Sequence, residues 1–407
     1  MLRTGLLGKW NFSELRTYGY PLFVGVTFRL PQITGIPHPV WLFVLQLAAY
    51  IAAALFLRRA LATLSLTAAR IAFAGLMLNY YVLLFTPYRM TESLSITFMV
   101  ATAACWLALQ QNRALLWPLI VGSLLAGFSV MLRPANIFLA ATWVLACAMV
   151  LRWDARNRVD SCGRVALVIV TMALPATPQF LNNIRHYGVT TPLVAAKLGT
   201  AQLLWSVLFS KYATGAGPEV AQPQVFYDNP FYAGTEVNPG APLHWYLEHP
   251  GRGAMTIALH VFNLTDQDLL FPYSRDLHPW YRLPLGIINH AAVALGLFGL
   301  GLMWRNAFKT RQRPAVEQAA ALTTLLAASC GVYAATAVEM RFGLPLLLVL
   351  FPLAGYAITF VVARETKIRW AVAAYVVVYA TTALIVSDWV RAHAAQIAQT
   401  EGAGENG

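Results

Sequence analysis

Apolar residues in this chain gather into long continuous blocks and do not recur on a single helical face. The blocks lie near 40–57, 69–85, 93–110, 115–132, 136–151, 164–181, 284–304, 317–337, 343–363 and 370–387. Most approach or exceed the roughly 18 apolar residues with which a helix crosses about 30 Å of hydrocarbon. Barrel strands would be shorter and would alternate, so the pattern predicts about ten transmembrane helices. Between blocks six and seven it breaks for a hundred residues, 182–283, where Trp205, Phe226, Tyr227, Trp245, Tyr246, Trp280 and Tyr281 mix with prolines and scattered acids. Aromatics at such a level match the interfacial belt of membrane proteins. Within this segment a helix is expected over 241–260, with Pro250 as its stop.

The connections set the orientation. One alternating set holds Arg58, Arg59, Arg113, Arg152, Arg156, Arg158, Arg164, Arg305, Lys309, Arg311, Arg313, Arg364, Lys367 and Arg369; the other short connections hold Arg89, Arg133 and Arg341. Short basic loops stay in the cytoplasm, which places 182–283 and the tail 391–407 outside. The predicted organisation is a first loop (1–39), a first bundle (40–181), the extracytoplasmic segment (182–283), a second bundle (284–390) and the tail. An even number of spans also puts 1–39 outside, although it carries Arg3, Lys9, Arg16 and Arg29 and no apolar segment to drive export. The expectation is therefore an N-terminal truncation, with one further span preceding Met1. Residues 18–30 are too short to cross and are expected along the membrane surface.

Composition sharpens this picture. With 58% hydrophobic and 11% charged residues the chain is not a soluble fold. Its formal charge of +12 sits in the connections and forms no basic patch with aromatics, so a bilayer is the expected partner and nucleic acid is not. Cys105, Cys147, Cys162 and Cys330 show no disulfide or metal spacing.

Candidate chemistry lies at the outer ends of the spans, where an ionisable group is costly unless it pairs or faces water. Glu92 precedes one span, Arg133-Pro134 ends another, Arg185 opens the long segment, and Glu339 and Arg341 flank an outer turn. Brought together, these two carboxylates and three guanidiniums would suit an anionic lipid-linked substrate. Guanidiniums pair bidentately with phosphate, and a carboxylate deprotonates an attacking hydroxyl. Asp266 and Asp268 have the spacing of a divalent-cation pair, with His260 six residues before the first. Span centres are nearly free of charge, which argues against an ion-coupled transporter.

Four stretches carry a family resemblance. Residues 16–23 (RTYGYPLF), 91–94 (TESL), 122–134 (GSLLAGFSVMLRP) and 181–205 (LNNIRHYGVTTPLVAAKLGTAQLLW) follow one another in the order and spacing of the GT-C superfamily of membrane glycosyltransferases. Within it the chain resembles the polyprenyl-phosphate-sugar-dependent branch of protein mannosyltransferases and aminoarabinose transferases. The resemblance implies an all-α polytopic GT-C-like fold, seated in a bacterial inner membrane with its working face outside. It also implies a hexosyl- or pentosyltransferase that moves sugar from a polyprenyl-phosphate carrier to a glycolipid, polysaccharide or protein. By family position Glu92 is the second acidic site and the candidate catalytic carboxylate, and Arg133, Arg185 and Arg341 are phosphate or structural partners, with Glu339 beside Arg341 as a further substrate-binding candidate. The resemblance implies no certain cofactor; a divalent metal ion at His260, Asp266 and Asp268 is an expectation from their spacing alone. The chain departs from the family in one respect: no room precedes residues 16–23 for the principal acid of the first external loop. A non-catalytic protein of this fold that binds lipid-linked sugar is the first alternative, and a lipid or solute transporter the second.

Overall fold

The computed structural model describes residues 17–63, 65–152, 158–194, 198–215, 224–267, 273–274 and 280–393. The first described elements are α1 (Gly19–Thr27) and α2 (Leu30–Thr34), the latter ended by Gly35 in the left-handed region (φ 71°). There follow α3 (His38–Ala62), α4 (Leu66–Met77), α5 (Tyr80–Phe85), α6 (Thr91–Gln111), α7 (Trp117–Leu132), α8 (Ile137–Arg152), α9 (Arg158–Ala173) and α10 (Thr177–Tyr187). Next come α11 (Leu198–Leu208), β1 (Phe209–Gly215), β2 (Gln224–Asp228), α12 (Pro242–Glu248), α13 (Pro250–Thr265) and β3 (Tyr273–Ser274). The chain continues with α14 (Arg282–Thr310), α15 (Arg313–Ala334), β4 (Val338–Glu339), α16 (Leu344–Val362) and α17 (Thr366–Ala392).

Eight stretches among the described residues are long and apolar enough to cross a membrane: His38–Ala62, Thr91–Gln111, Pro134–Leu151, Ser161–Tyr187, Arg282–Thr310, Arg313–Ala334, Arg341–Val362 and Thr366–Ala392. The difference from the expected ten has local causes. In the block 69–85 the Asn79 side chain accepts from the Val82 amide and starts a new helix, so neither α4 nor α5 reaches spanning length. The block 115–132 yields α7, whose 16 residues rise roughly 24 Å.

Contacts divide the chain into two units, one of residues 1–197 and 299–329, the other of 198–298 and 330–407. In unit 1, α6 packs against α3 and α7, and Cys105, Leu107, Leu109, Leu119, Trp143 and Val150 fill the space between α6, α7 and α8. Small residues allow the close approaches. A Cβ at Gly127 of α7 would strike the Met172 carbonyl of α9, and one at Gly122 would strike the Trp143 ring, whose Nε1 donates to Ser123 Oγ at 2.9 Å.

Unit 2 contains a small sheet that the all-helical expectation did not include. β1 pairs antiparallel with β2 and in parallel with β3 and β4, in registers Tyr212↔Phe226, Thr214↔Tyr273 and Tyr212↔Glu339. Over 241–260 the expected helix forms as two. His249 ends the first, and Pro250 starts α13 instead of stopping a helix, because a proline at the first helical position forfeits no hydrogen bond.

Candidate functional site

In unit 1 the Glu92 carboxylate occupies the first turn of α6 and is buried, with 4% of its side chain exposed. Arg133 is the residue at which α7 ends, its backbone extended ahead of Pro134. The Arg133 Nη1 donates to Glu92 Oε1 at 3.0 Å, and the Thr91 hydroxyl donates to Oε2 at 3.2 Å. Below the pair, Asn136 Nδ2 donates to Ser95 Oγ at 3.0 Å and to the Ser129 carbonyl at 2.9 Å, which ties the start of α6 to the end of α7. The Arg133 side chain keeps 16% exposure, so the pair is reachable from one side.

Of the other stretches singled out in the sequence, 17–23 packs beside this pair, and 181–194 reaches Tyr18 through Gln179 and Leu193. Gly19 lies so close to α7 that a Cβ would collide with the Met131 carbonyl. Tyr20 packs with Leu94 and Leu132. Burial, and then the charge of Glu92 against the opposing Arg89, pushes the Tyr20 phenol well above its usual range. Tyr18 receives its own anchoring: its amide donates to Gln179 Oε1 at 3.1 Å and its hydroxyl to the Pro175 carbonyl at 2.7 Å. Gln179 in turn donates to Asn183 Oδ1 at 2.9 Å, and Asn183 Nδ2 donates to the carbonyls of Thr191 and Leu193, both at 2.7 Å. Arg185 is exposed on the last turn of α10, ahead of Gly188 at φ 67°.

Glu339 and Arg341 belong to unit 2 and pair with each other, Nε to Oε2 at 2.5 Å. Glu339 is buried in β4 opposite Tyr212 of β1, and burial followed by the Glu339 charge raises the Tyr212 phenol far above its ordinary value. Arg341 lies over the Phe342 ring, which stacks on Tyr333.

A second cluster in unit 2 escaped sequence reasoning. The buried Asp266 carboxylate accepts from Lys211 Nζ at 3.1 Å and from the Ser387 hydroxyl at 3.0 Å, and His290 Nε2 lies 3.4 Å from Oδ1. Burial alone would raise the Asp266 carboxyl; Lys211 and His290 outweigh it and hold the group well below the usual carboxylate range. The cluster joins β1, the end of α13, α14 and α17. Its signals in the sequence were a lysine among apolar and aromatic neighbours (Lys211) and a histidine near the start of a long apolar block (His290).

The metal candidates are described only in part. Among the described residues no group of three or more His, Cys, Asp or Glu is placed to hold a metal ion. Asp266 is already neutralised by an ammonium group, which repels a cation. His260, with Nδ1 2.7 Å from the Ala334 carbonyl and Nε2 3.1 Å from that of Phe209, is held by backbone, and burial lowers its basicity. Asp268 lies outside the described residues.

No family model, curated protein or solved structure matches the chain.

Proposed function

We propose that the chain is a membrane glycosyltransferase that moves a hexosyl or pentosyl group from a polyprenyl-phosphate carrier to an extracytoplasmic acceptor, with Glu92 and Arg133 at its working centre. The supporting observation is convergence. Residues 17–23, 91–94 and 122–134 are scattered along the chain, yet they pack together in unit 1 around the Glu92–Arg133 pair, and Leu193 of the fourth stretch packs on the adjoining Tyr18, Val130 and Met131. In this role Arg133 takes the carrier phosphate, its planar fork matching two phosphate oxygens. Once Arg133 is so engaged, Glu92 accepts the proton of the acceptor hydroxyl. The distribution of basic connections supports placing this end of α6 and α7 on the extracytoplasmic side, and the bacterial inner membrane is part of the same proposal.

The test is transfer itself. Surface polysaccharides, lipids and glycoproteins of a strain deleted for this chain lack one sugar substituent, which the wild-type chain restores and Glu92→Gln or Arg133→Ala does not. Full restoration by both variants removes the assignment. A second reading, a protein of the same fold that binds lipid-linked sugar without transferring it, is favoured by the Glu92 ion pair, because the Arg133 guanidinium at 3.0 Å and the Thr91 hydroxyl already occupy the two carboxylate oxygens. Retention of polyprenyl-phosphate sugar by the purified protein, with an unchanged sugar pattern in the deleted strain, would select it.

A further inference from the structure

At the arginine-rich end of unit 1, a cavity of about 1380 Å³ opens between α8, α9 and α15. It exceeds the roughly 300–1,000 Å³ of ordinary small-molecule pockets. Its lining changes character with depth along the helix axes. Ser161, Cys162, Arg311 and Arg313 lie at the helix ends, whereas Leu145, Val165 and Ile169 form wall further in, Ile169 being roughly 12 Å beyond Ser161 along α9. This polar-to-apolar gradient has the depth of one membrane leaflet from headgroup to acyl chain.

Arginines outnumber acids among the described lining residues. Glu317 is the one acid in the lining among the described residues. It is already engaged by Arg313 Nε at 2.9 Å, Arg113 Nη2 at 3.5 Å and Gln110 Nε2 at 3.0 Å. Arg164 Nη1 donates to the Arg113 carbonyl, which adds a fourth guanidinium to this region beside Arg311. Arg311 adopts φ 51°, the left-handed region that non-glycine residues rarely occupy, and its amide donates to the Ala307 carbonyl at 2.9 Å. The turn thus presents two arginines at the cavity within three residues.

We propose that this cavity binds an anionic phospholipid of the surrounding membrane, its phosphate on Arg311 and Arg313 and an acyl chain along Leu145, Val165 and Ile169. Basic pockets between spans recognise anionic headgroups, and guanidinium is the weakly hydrated cation suited to a phosphate at an interface. The inference concerns unit 1 alone and does not depend on the transferase reading.

Native mass spectrometry of the full chain in neutral detergent, titrated with phosphatidylglycerol, phosphatidylcholine or glycerol 3-phosphate, tests it. Phosphatidylglycerol is retained at lower concentration than phosphatidylcholine, and Arg311→Gln weakens its retention by about fivefold. Arg58→Gln, a basic residue outside the cavity, leaves retention unchanged. Because Arg313 also holds Glu317, the second variant is Ile169→Trp, which fills the cavity without touching an ion pair and also weakens retention. Equal retention of the two lipids overturns the proposal, as does an equal loss in Arg58→Gln or unchanged retention in both cavity variants. Competition by glycerol 3-phosphate at the concentrations that phosphatidylglycerol needs would reveal a simple anion site and overturn it as well.

Discussion

Glu92 and Arg133 are 41 residues apart in sequence and 3.0 Å apart in space, and their contact fixes the end of α7 to the start of α6. In the proposed reaction the guanidinium serves phosphate and the carboxylate serves a proton, so the two substitutions should fail differently. Arg133→Lys keeps charge but loses the planar fork, and we expect mainly weaker binding of the lipid-linked donor. Glu92→Gln keeps shape but loses the base, and transfer should fall about 10²–10⁴-fold with donor binding retained. Donor titrations of both variants in reconstituted vesicles separate the two outcomes; identical profiles would sink the division of roles.

The Asp266 cluster makes unit 2 sensitive to acid. The folded carboxyl is held below its unfolded value of about 3.9, so its stabilising contribution is complete above that value and is lost as pH falls through it toward the lower folded value. Melting temperature in detergent should therefore drop steeply below about pH 4, and Asp266→Asn should flatten this limb. At neutral pH the same variant leaves the Lys211 ammonium buried without its carboxylate, at a cost of about 3–5 kcal/mol. An unaltered acid limb in Asp266→Asn would show that other groups govern it.

Glycine positions differ sharply in what surrounds them. A Cβ at Gly343 would run into the Leu264 carbonyl of α13, whereas one at Gly301 meets open space. Gly343→Ala should destabilise by about 1–3 kcal/mol. Gly301→Ala, inside α14, should be neutral or stabilise by up to about 1 kcal/mol. Thermal melting of the two purified variants checks the contrast.

Cys162 is exposed near the start of α9, while Cys105 and Cys147 are buried. In the proposed orientation a membrane-impermeant maleimide labels Cys162 in inside-out vesicles and spares it in intact cells. Labelling from the opposite side would reverse the topology and with it the placement of Glu92 and Arg133.

The spans were legible because continuous hydropathy over about 18 residues has one physical outcome in a bilayer. Glu92 and Arg133 were legible for a related reason, since a charge at the edge of an apolar block stands out against its neighbours. Where a polar side chain competes with the helix, as Asn79 does by capping α5, the hydropathy of 69–85 concealed a break. The sheet was hidden because β1 finds β4 only far along the chain, and its strands are too short to show sustained alternation. Lys211, His290 and Ser387 were equally hidden: each lies on a different element, and nothing in sequence spacing joins them to Asp266.

The pairing of β1 with β4 also imposes a schedule on biosynthesis. β2 can cover one edge of β1 as soon as residue 228 is made, but the Lys211↔Val338 register requires about 127 further residues beyond Lys211, including two complete spans. At about 5–20 residues per second, translation leaves that second strand edge without its β4 partner for roughly 6–25 s. An uncovered edge invites pairing with other chains. Ribosome speed and the insertion of Arg282–Thr310 and Arg313–Ala334 therefore set how long nascent unit 2 needs shelter from its neighbours.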